Sequence, residues 1–301
     1  MRGLKDAPFE RQAGPPMLIQ FRSEQSIELH EPVSEAAELP ADSQLARAAA
    51  QVLGPGVLLR ALQTSERGGL GVFERDGQLQ VFKLMNCRSH WRKRFARYFG
   101  WNPARRAVEQ SQLLQRSGIA VCPVTDWGAI PLPDAAKALW TVGRYFPNGI
   151  SLRDYKKQLQ PRRRSAAHPE IVRLYQRGID MLRGLHEAGF MHRDFHAGNL
   201  LVVPGDAEQL YLMDLDTVTQ RTPSHDRRAS ELCRYVHNFV EPQNYEQVVL
   251  DAATRYAAGD QTILERLKRS RQLLALLRAK GVLAKDKLRG RPWTPPQDSA
   301  F

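Results

Sequence analysis

Long apolar runs are missing from this 301-residue chain. Without them there is no secretory h-region and no helix able to span a bilayer, so a chain that is neither secreted nor membrane-spanning is expected. Cysteine is scarce. Cys87, Cys122 and Cys233 lie far apart without a Cys-x-x-Cys spacing, which argues against a disulfide framework and a zinc site and fits a reducing cytoplasm. Acidic residues are also in short supply, 32 Asp and Glu against 44 Lys and Arg, for a formal charge of +12. Such a surplus favours an anionic partner: nucleic acid, phospholipid or a phosphorylated glycolipid. No nucleic-acid-binding module can be recognised, so no specific nucleic acid partner is expected. Internal repeats are absent too, which excludes a solenoid. What remains is ordinary globular composition, 42% hydrophobic, in a length that holds one large domain or two lobes around a cleft.

The first stretch, 1–44, mixes Pro, Glu, Gln, Ser and Ala without a sustained period and reads as an N-terminal extension. A short helix from Asp42 to Leu53 stops at Gly54-Pro55-Gly56. Strands follow at 57–62, 71–75 and 78–84, the last two joined by Asp76-Gly77, a pair suited to a two-residue hairpin turn. A helix over Asn102–Ser117 and strands at 121–127 and 138–145 complete a small β-rich lobe, 45–147. From 148 to 285 helices dominate. The clearest, Pro169–Ala188, carries Ile171, Leu174, Tyr175, Leu182 and Leu185 on one face and meets Gly189 at its end; others are expected near 226–240, 244–257 and 261–280. Residues 286–301 form a proline-rich tail. The fold class this implies is α+β in two lobes, a small antiparallel β-rich N-lobe and a larger helical C-lobe.

Directly after the long helix comes His192-Arg193-Asp194-Phe195-His196-Ala197-Gly198-Asn199, then the apolar Leu200-Leu201-Val202. His-Arg-Asp with Asn five residues after the Asp is the catalytic loop of protein-kinase-like enzymes. A loop projecting from a rigid helix can hold Asp194 at an attacking hydroxyl while Asn199 turns back to a magnesium ion. After a turn at Pro204-Gly205-Asp206, the strand Leu210–Met213 delivers Asp214-Leu215-Asp216, with Asp214 in the place of a metal-binding aspartate. Asp216 either takes a second cation or caps the next turn. His192 is expected to pack and brace the loop. Upstream, Lys83 closes Val81-Phe82-Lys83, a position from which a lysine reaches the nucleotide α- and β-phosphates. Glu109, on the following helix, is either its partner or an ordinary surface glutamate. The loop Ser65–Gly71 contains Gly68, Gly69 and Gly71 where a phosphate-covering loop belongs, although it departs from Gly-x-Gly-x-x-Gly. ATP and Mg2+ are the cofactors these residues call for.

Protein kinases carry an extended segment ending in Ala-Pro-Glu that forms a platform for peptides. None is present; Asp216 leads almost at once into the helix starting at Asp226, so a compact acceptor such as a sugar or amino alcohol is expected. Taken with Lys83, the basic segment after it, Gly118–Pro123, His192–Asn199, Asp214-Leu215-Asp216 and the basic helix from Asp226, the sequence resembles the lipopolysaccharide core kinases, which phosphorylate Kdo or heptose sugars. The resemblance spans about 70–240. It implies a protein-kinase-like fold, ATP and magnesium, Asp194 as base, an anionic glycolipid acceptor and action at the inner face of the cytoplasmic membrane.

The stretch Arg88–Trp101 independently offers Trp91, Phe95, Tyr98 and Phe99 as one helical stripe flanked by Arg92, Lys93, Arg94 and Arg97. That pattern suits an anionic membrane surface, or else an aromatic face packed on the small lobe. Arg162-Arg163-Arg164 is a further candidate anion contact. Competing readings are a soluble phosphotransferase of the aminoglycoside or choline kinase kind, which would not need that segment, and a catalytically weak kinase-like binding module, which the four residues Lys83, Asp194, Asn199 and Asp214 argue against.

Overall fold

Asp76 and Gly77 both adopt positive φ, 54° and 72°, the backbone a two-residue hairpin turn requires. The turn sets β2 (Gly68–Arg75) against β3 (Gln78–Asn86) in antiparallel register from Arg75↔Gln78 to Gly68↔Met85. β1 (Arg60–Ser65) pairs with the other edge of β2, and β4 (Val124–Leu132) and β5 (Ala135–Arg144) complete an antiparallel sheet in the order β1-β2-β3-β5-β4. The computed structural model describes residues 43–54, 57, 60–65, 68–86, 102–132, 135–159, 168–203, 209–239 and 245–270, all within the compact unit Glu35–Phe301. The extension up to 42, the basic aromatic segment 88–101, Arg162–Arg164 and the tail lie outside the described residues.

The strand expected at 57–62 is described from Arg60 and runs on to Ser65, because its partners are the glycines themselves: Ser65 pairs with Gly68, Thr64 with Gly69 and Ala61 with Gly71. The loop expected over Ser65–Gly71 is therefore strand from Gly68 onward, paired with β1 as far as Ser65↔Gly68. On one face of the sheet lies α1 (Gln44–Leu53), capped by the Ser43 hydroxyl, which accepts from the Ala46 N–H at 3.1 Å. Leu45, Ala48 and Ala49 of α1 pack on Phe73, Phe82, Leu84, Ile130, Ala138 and Val142.

The helix α2 (Pro103–Arg116) begins as its sequence dictates, with Asn102 accepting from the Arg105 N–H at 3.1 Å and Pro103 in the first turn. It ends at Ser117, with Gly118 beyond at φ 74°. The chain then reaches across to the helical lobe. Ala120 accepts from the Leu212 N–H at 3.0 Å and Cys122 donates to the Leu212 carbonyl at 2.9 Å, so the connection out of α2 is fastened to the strand that carries Met213 and Asp214.

The second lobe holds β6 (Ile150–Ser151), β8 (Leu200–Val202) and β9 (Leu210–Leu212) in one small sheet and β7 (Phe190–His192) paired with β10 (Val218–Gln220) in another. Its helices are α3 (Leu152–Leu159), α4 (Pro169–Glu187), α5 (His225–Val236), α6 (Tyr245–Ala257) and α7 (Gln261–Lys268). α3 had no counterpart in the sequence reading, since at eight residues it is too short to display a period. The apolar stripe of α4 is buried throughout, and Gly189 ends it at φ 80°. α4 has one glycine in its core face for a steric reason: a Cβ at Gly178 would sit 2.0 Å from the Tyr235 hydroxyl. That hydroxyl donates to the carbonyl of Tyr175 at 3.0 Å, which ties α5 to α4. No helix among the described residues is long and apolar enough to cross a membrane.

Candidate active site

Strand alternation decides which way the third strand points its residues. Phe82 is fully buried against α1, so Val81 and Lys83 face the opposite side, where they line a cavity of about 660 Å³. That volume is within the usual range for a small-ligand site. Gly68 and Leu70 border it from β2, Tyr145 and Phe146 from the link between the lobes, and Asn199, Leu201, Asp214 and Asp216 from the helical lobe. Cys122 also lines it, and burial pushes its thiol up to about 12, leaving it protonated and a poor nucleophile.

Lys83 and Asp214, 131 positions apart in the chain, meet here: Lys83 Nζ donates to Asp214 Oδ1 at 2.8 Å. Burial opposes both charges, yet Asp214 and then Asp216 hold Lys83 above its ordinary value, and Lys83 in turn holds Asp214 below the usual carboxylate value. Asp214 adopts the left-handed backbone, φ 57° and ψ 49°, which Asp and Asn tolerate better than other non-glycine residues. Its position is set by β9 and by the Met213 N–H, which donates to the Asn199 carbonyl at 2.9 Å. Asn199 ends the 3-10 turn Ala197–Asn199, and its Nδ2 donates to the Asp194 carbonyl at 2.9 Å. The amide nitrogen is thus committed to the loop, and Oδ1 is the atom left for a cation.

His192 is fully buried. Its Nε2 donates to the Met213 carbonyl at 2.9 Å, and its Nδ1 accepts from the Asp194 N–H at 3.3 Å. One ring therefore joins the strand that carries Asp214 to the loop that carries Asp194, which is the bracing role expected of it. Burial lowers the His192 pKa from its ordinary 6.5, so the folded protein keeps the ring neutral while the unfolded chain would protonate it. This contribution to stability is complete above pH 6.5 and is lost progressively as pH falls below that value. A His192→Gln variant is expected to show a flatter dependence of Tm on pH between about 7 and 5, checked by thermal unfolding; an unchanged slope would assign the acid sensitivity to another group.

Behind the loop stands Glu231 of α5, 5% exposed. Its Oε2 accepts from the His192 N–H at 3.0 Å and from His186 Nε2 at 3.0 Å; a carboxylate only accepts, so His186 carries its proton on Nε2. His186 Nδ1 lies 2.6 Å from the Tyr256 hydroxyl. Glu231 was not picked out in the sequence, where the only available signal was a carboxylate among Ala229, Leu232, Cys233, Tyr235 and Val236 on the buried side of its helix. Glu231→Ala would orphan two buried donors, and an expected loss of about 2–4 kcal/mol in urea unfolding follows. Glu231→Gln, which keeps one acceptor oxygen, should lose less.

Asp194 itself does not line the cavity. It is half-exposed at its rim, with Arg234 Nη1 3.6 Å from Oδ1 and His196 Nε2 3.4 Å from Oδ2. His196 Nδ1 accepts from the Gly198 N–H at 2.9 Å, so its proton sits on Nε2, the atom directed at Asp194.

The structure does not bring Glu109 to Lys83. Glu109 pairs with Arg105 at 2.7 Å on the exposed side of α2, and Ala107 is the α2 residue at the cavity. Two positions along a helix turn the side chain by about 200°, so the only carboxylate of α2 faces away. Of the three glycines, Gly68 pairs opposite Met85 and borders the cavity, whereas Gly69 and Gly71 pair opposite Leu84 and Phe82, with their missing side chains directed at the α1 side. A Cβ on Gly69 would lie 2.8 Å from Leu45 Cδ2. The glycine there makes room for α1, while its backbone still borders the cavity; Gly71 does not border it.

Asn199 Oδ1, Asp214 and Asp216 are hard oxygen donors suited to magnesium. Among the described residues no group of three or more His, Cys, Asp or Glu side chains could hold a metal alone.

A sheet lobe and a helical lobe around a cavity with Lys83, Asn199 and Asp214, and a loop aspartate at its rim, make a protein-kinase-like fold. The model of the lipopolysaccharide kinase (Kdo/WaaP) family matches residues 148–256. The motif resemblance agrees with that match, which covers the segment holding Asp194, Asn199, Asp214 and Asp216. Among solved structures it is similar to WaaP in complex with acyl carrier protein, at 19% identity and a TM-score of 0.54, covering 76% of this chain and 90% of that one. It is also similar to the kinase domain of Mycobacterium tuberculosis PknI, at 18% identity and a TM-score of 0.38, covering 67% of this chain and 74% of that one. No curated protein sequence matches.

Proposed function

We propose that the protein is an ATP- and magnesium-dependent kinase that phosphorylates a heptose or Kdo hydroxyl of the lipopolysaccharide core at the inner face of the cytoplasmic membrane. The observation that carries this reading is the convergence of Lys83, Asn199, Asp214 and Asp216 on one cavity, with Asp194 at its rim; all of these but Lys83 fall in the segment that matches the lipopolysaccharide kinase family. The chain from Asp216 to α5 is only the stretch 217–224, three residues of which are taken up by β10. Little backbone is left to grip a polypeptide, which supports a compact acceptor. The net charge of +12 supports an anionic one.

In the reaction, the acceptor hydroxyl oxygen forms a bond to the γ-phosphorus of ATP as the bond from that phosphorus to the β,γ-bridging oxygen breaks and ADP leaves. Asp194 orients the hydroxyl and takes its proton. Lys83 would hold the α- and β-phosphates in place of Asp214, and Asn199, Asp214 and Asp216 would hold the magnesium ion. Bound magnesium would neutralise charge on the phosphate oxygens.

The test combines mass spectrometry of lipopolysaccharide from cells lacking the protein with transfer from labelled ATP to purified core glycolipid. One phosphate missing from the core, restored by the wild-type chain, is the expected result. Unchanged core phosphate rejects the acceptor, and labelling of choline or an aminoglycoside instead would point to a soluble small-molecule kinase. Flotation with anionic lipid vesicles tests the membrane location, which fails if the protein stays at the bottom of the gradient.

A further inference from the structure

Around Asp194, positive charge exceeds what holding the loop demands. The backbone of Asp194 is already tied at both ends, its N–H to His192 Nδ1 and its carbonyl to Asn199 Nδ2. Arg234 nevertheless reaches its carboxylate from α5, at 3.6 Å, a distance of charge pairing and not of hydrogen bonding. The Arg234 guanidinium makes no side-chain hydrogen bond among the described residues, and its side chain is 43% exposed. Its donors are free for a ligand. A second guanidinium approaches the same loop from α3: a Cβ on Gly198 would lie 3.3 Å from Arg153 Cζ and 3.0 Å from His196 Nδ1, so glycine at 198 lets Arg153 rest beside the loop. The nearest carboxylate to Arg153, Asp154 at 3.8 Å, is held more closely by Lys157 at 2.7 Å and Ser151 at 2.6 Å. Two arginines thus flank the loop, whose one carboxylate, Asp194, is approached by Arg234 at 3.6 Å and by His196 at 3.4 Å. Neither arginine lines the nucleotide cavity.

We infer that Arg234, assisted by Arg153, binds an anionic substituent of the acceptor, a carboxylate or a phosphate, close to the hydroxyl that is phosphorylated. The inference rests on the function proposed above and specifies how that acceptor is recognised. A guanidinium presents a planar fork of donors that matches either anion through two parallel bonds. Anchoring the anion beside Asp194 places the neighbouring hydroxyl at the rim of the nucleotide cavity, and a neutral sugar would leave the arginines without a partner. Proximity supplied in this way lowers the KM of the acceptor and leaves that of ATP alone.

The experiment measures steady-state transfer from ATP to core glycolipid in three forms: intact, with its sugar-acid carboxylates methyl-esterified, and with its phosphates removed. The wild-type protein, Arg234→Gln and Arg234→Lys are compared, with Arg153→Gln as a second site. For the wild type, one of the two modifications should lower kcat/KM by about 10- to 100-fold, and which one identifies the anion. Arg234→Gln should show that same loss on intact glycolipid, chiefly in acceptor KM, and should no longer distinguish the intact from the modified form. Its KM for ATP should stay within about twofold of wild type, since uniform loss of acceptor binding leaves the nucleotide site untouched. Arg234→Lys should recover part of the loss and Arg153→Gln should show a smaller version of it. Wild-type indifference to both modifications overturns the inference, and that arm needs no variant to fold. So does an Arg234→Gln protein that slows on every acceptor alike while still discriminating, because Arg234 would then act on Asp194 and not on the acceptor. Failure of the wild type to phosphorylate any core glycolipid sinks the proposed function itself, and this inference with it.

Discussion

Asp194→Asn is expected to reduce phosphoryl transfer by at least about 100-fold, the lower guide for losing a proton-transfer group, while the protein melts at nearly its wild-type temperature. The side chain is half-exposed, and its contacts with Arg234 and His196 are long, 3.6 and 3.4 Å. Exposed pairs of this kind contribute about 0–1 kcal/mol. The backbone bonds to His192 and Asn199 that shape the loop do not involve the carboxylate and survive the substitution. Chemistry and folding are thereby separable at this residue, and parallel measurement of turnover and thermal unfolding checks both. Retention of more than a tenth of the activity would mean that another group positions the hydroxyl. A large drop in Tm would mean that the Arg234 contact matters to the fold.

Asp214 should behave differently, because backbone and side chain both matter there. Asp214→Asn and Asp214→Ala are each expected to lose at least about 100-fold in turnover, the scale of a missing electrostatic contact to transferring phosphate. In both, the rise in Tm produced by magnesium and ATP should vanish, since a ligand that binds only the folded state stabilises by mass action. The two variants should part in stability. Asparagine tolerates φ 57°, whereas alanine in the left-handed region costs about 1–2 kcal/mol, or roughly 2–8 °C in Tm at this size. Equal melting temperatures would show that the backbone at 214 carries no strain, and an active Asp214→Asn would remove Asp214 from the metal site. The half-buried pair with Lys83 adds an acid-sensitive element: with the Asp214 pKa depressed, its contribution is present above the ordinary carboxylate value of 3.8 and is lost as pH falls through the lower folded value.

The readable parts of this site share a property: their chemistry and their spacing are set by short stretches of chain. Arg193 to Asn199 must turn back as a loop because an amphipathic helix and the short strand β7 end before it and a strand begins at Leu200. Asp214 must return beside Asn199 because β8 and β9 pair antiparallel, Leu200 opposite Leu212. Lys83 was legible through strand alternation. Glu109 was not, because deciding which α2 residue meets the cavity requires the rotation of that helix about its axis, and only its packing between the sheet and the turn Leu215–Thr217 sets it. Gly69 misled for a related reason. A glycine beside a candidate phosphate loop invites a ligand explanation, and the neighbour that needs the space, Leu45, lies on a helix before β1.

The sequence by itself determined the order of the longer elements, the division into a strand-rich and a helix-rich lobe, the candidate catalytic loop and the aspartate corner after it. Each of these depends on residues close together in the chain, where hydrophobic period, turn chemistry and caps dominate. Only the tertiary structure decided that Lys83 rests on Asp214 and not on Glu109, that Glu231 supports the loop from behind, and that Arg153 and Arg234 converge on it from two helices. Those are contacts between distant segments, chosen by how whole helices rotate and pack, and no local pattern of residues encodes that choice.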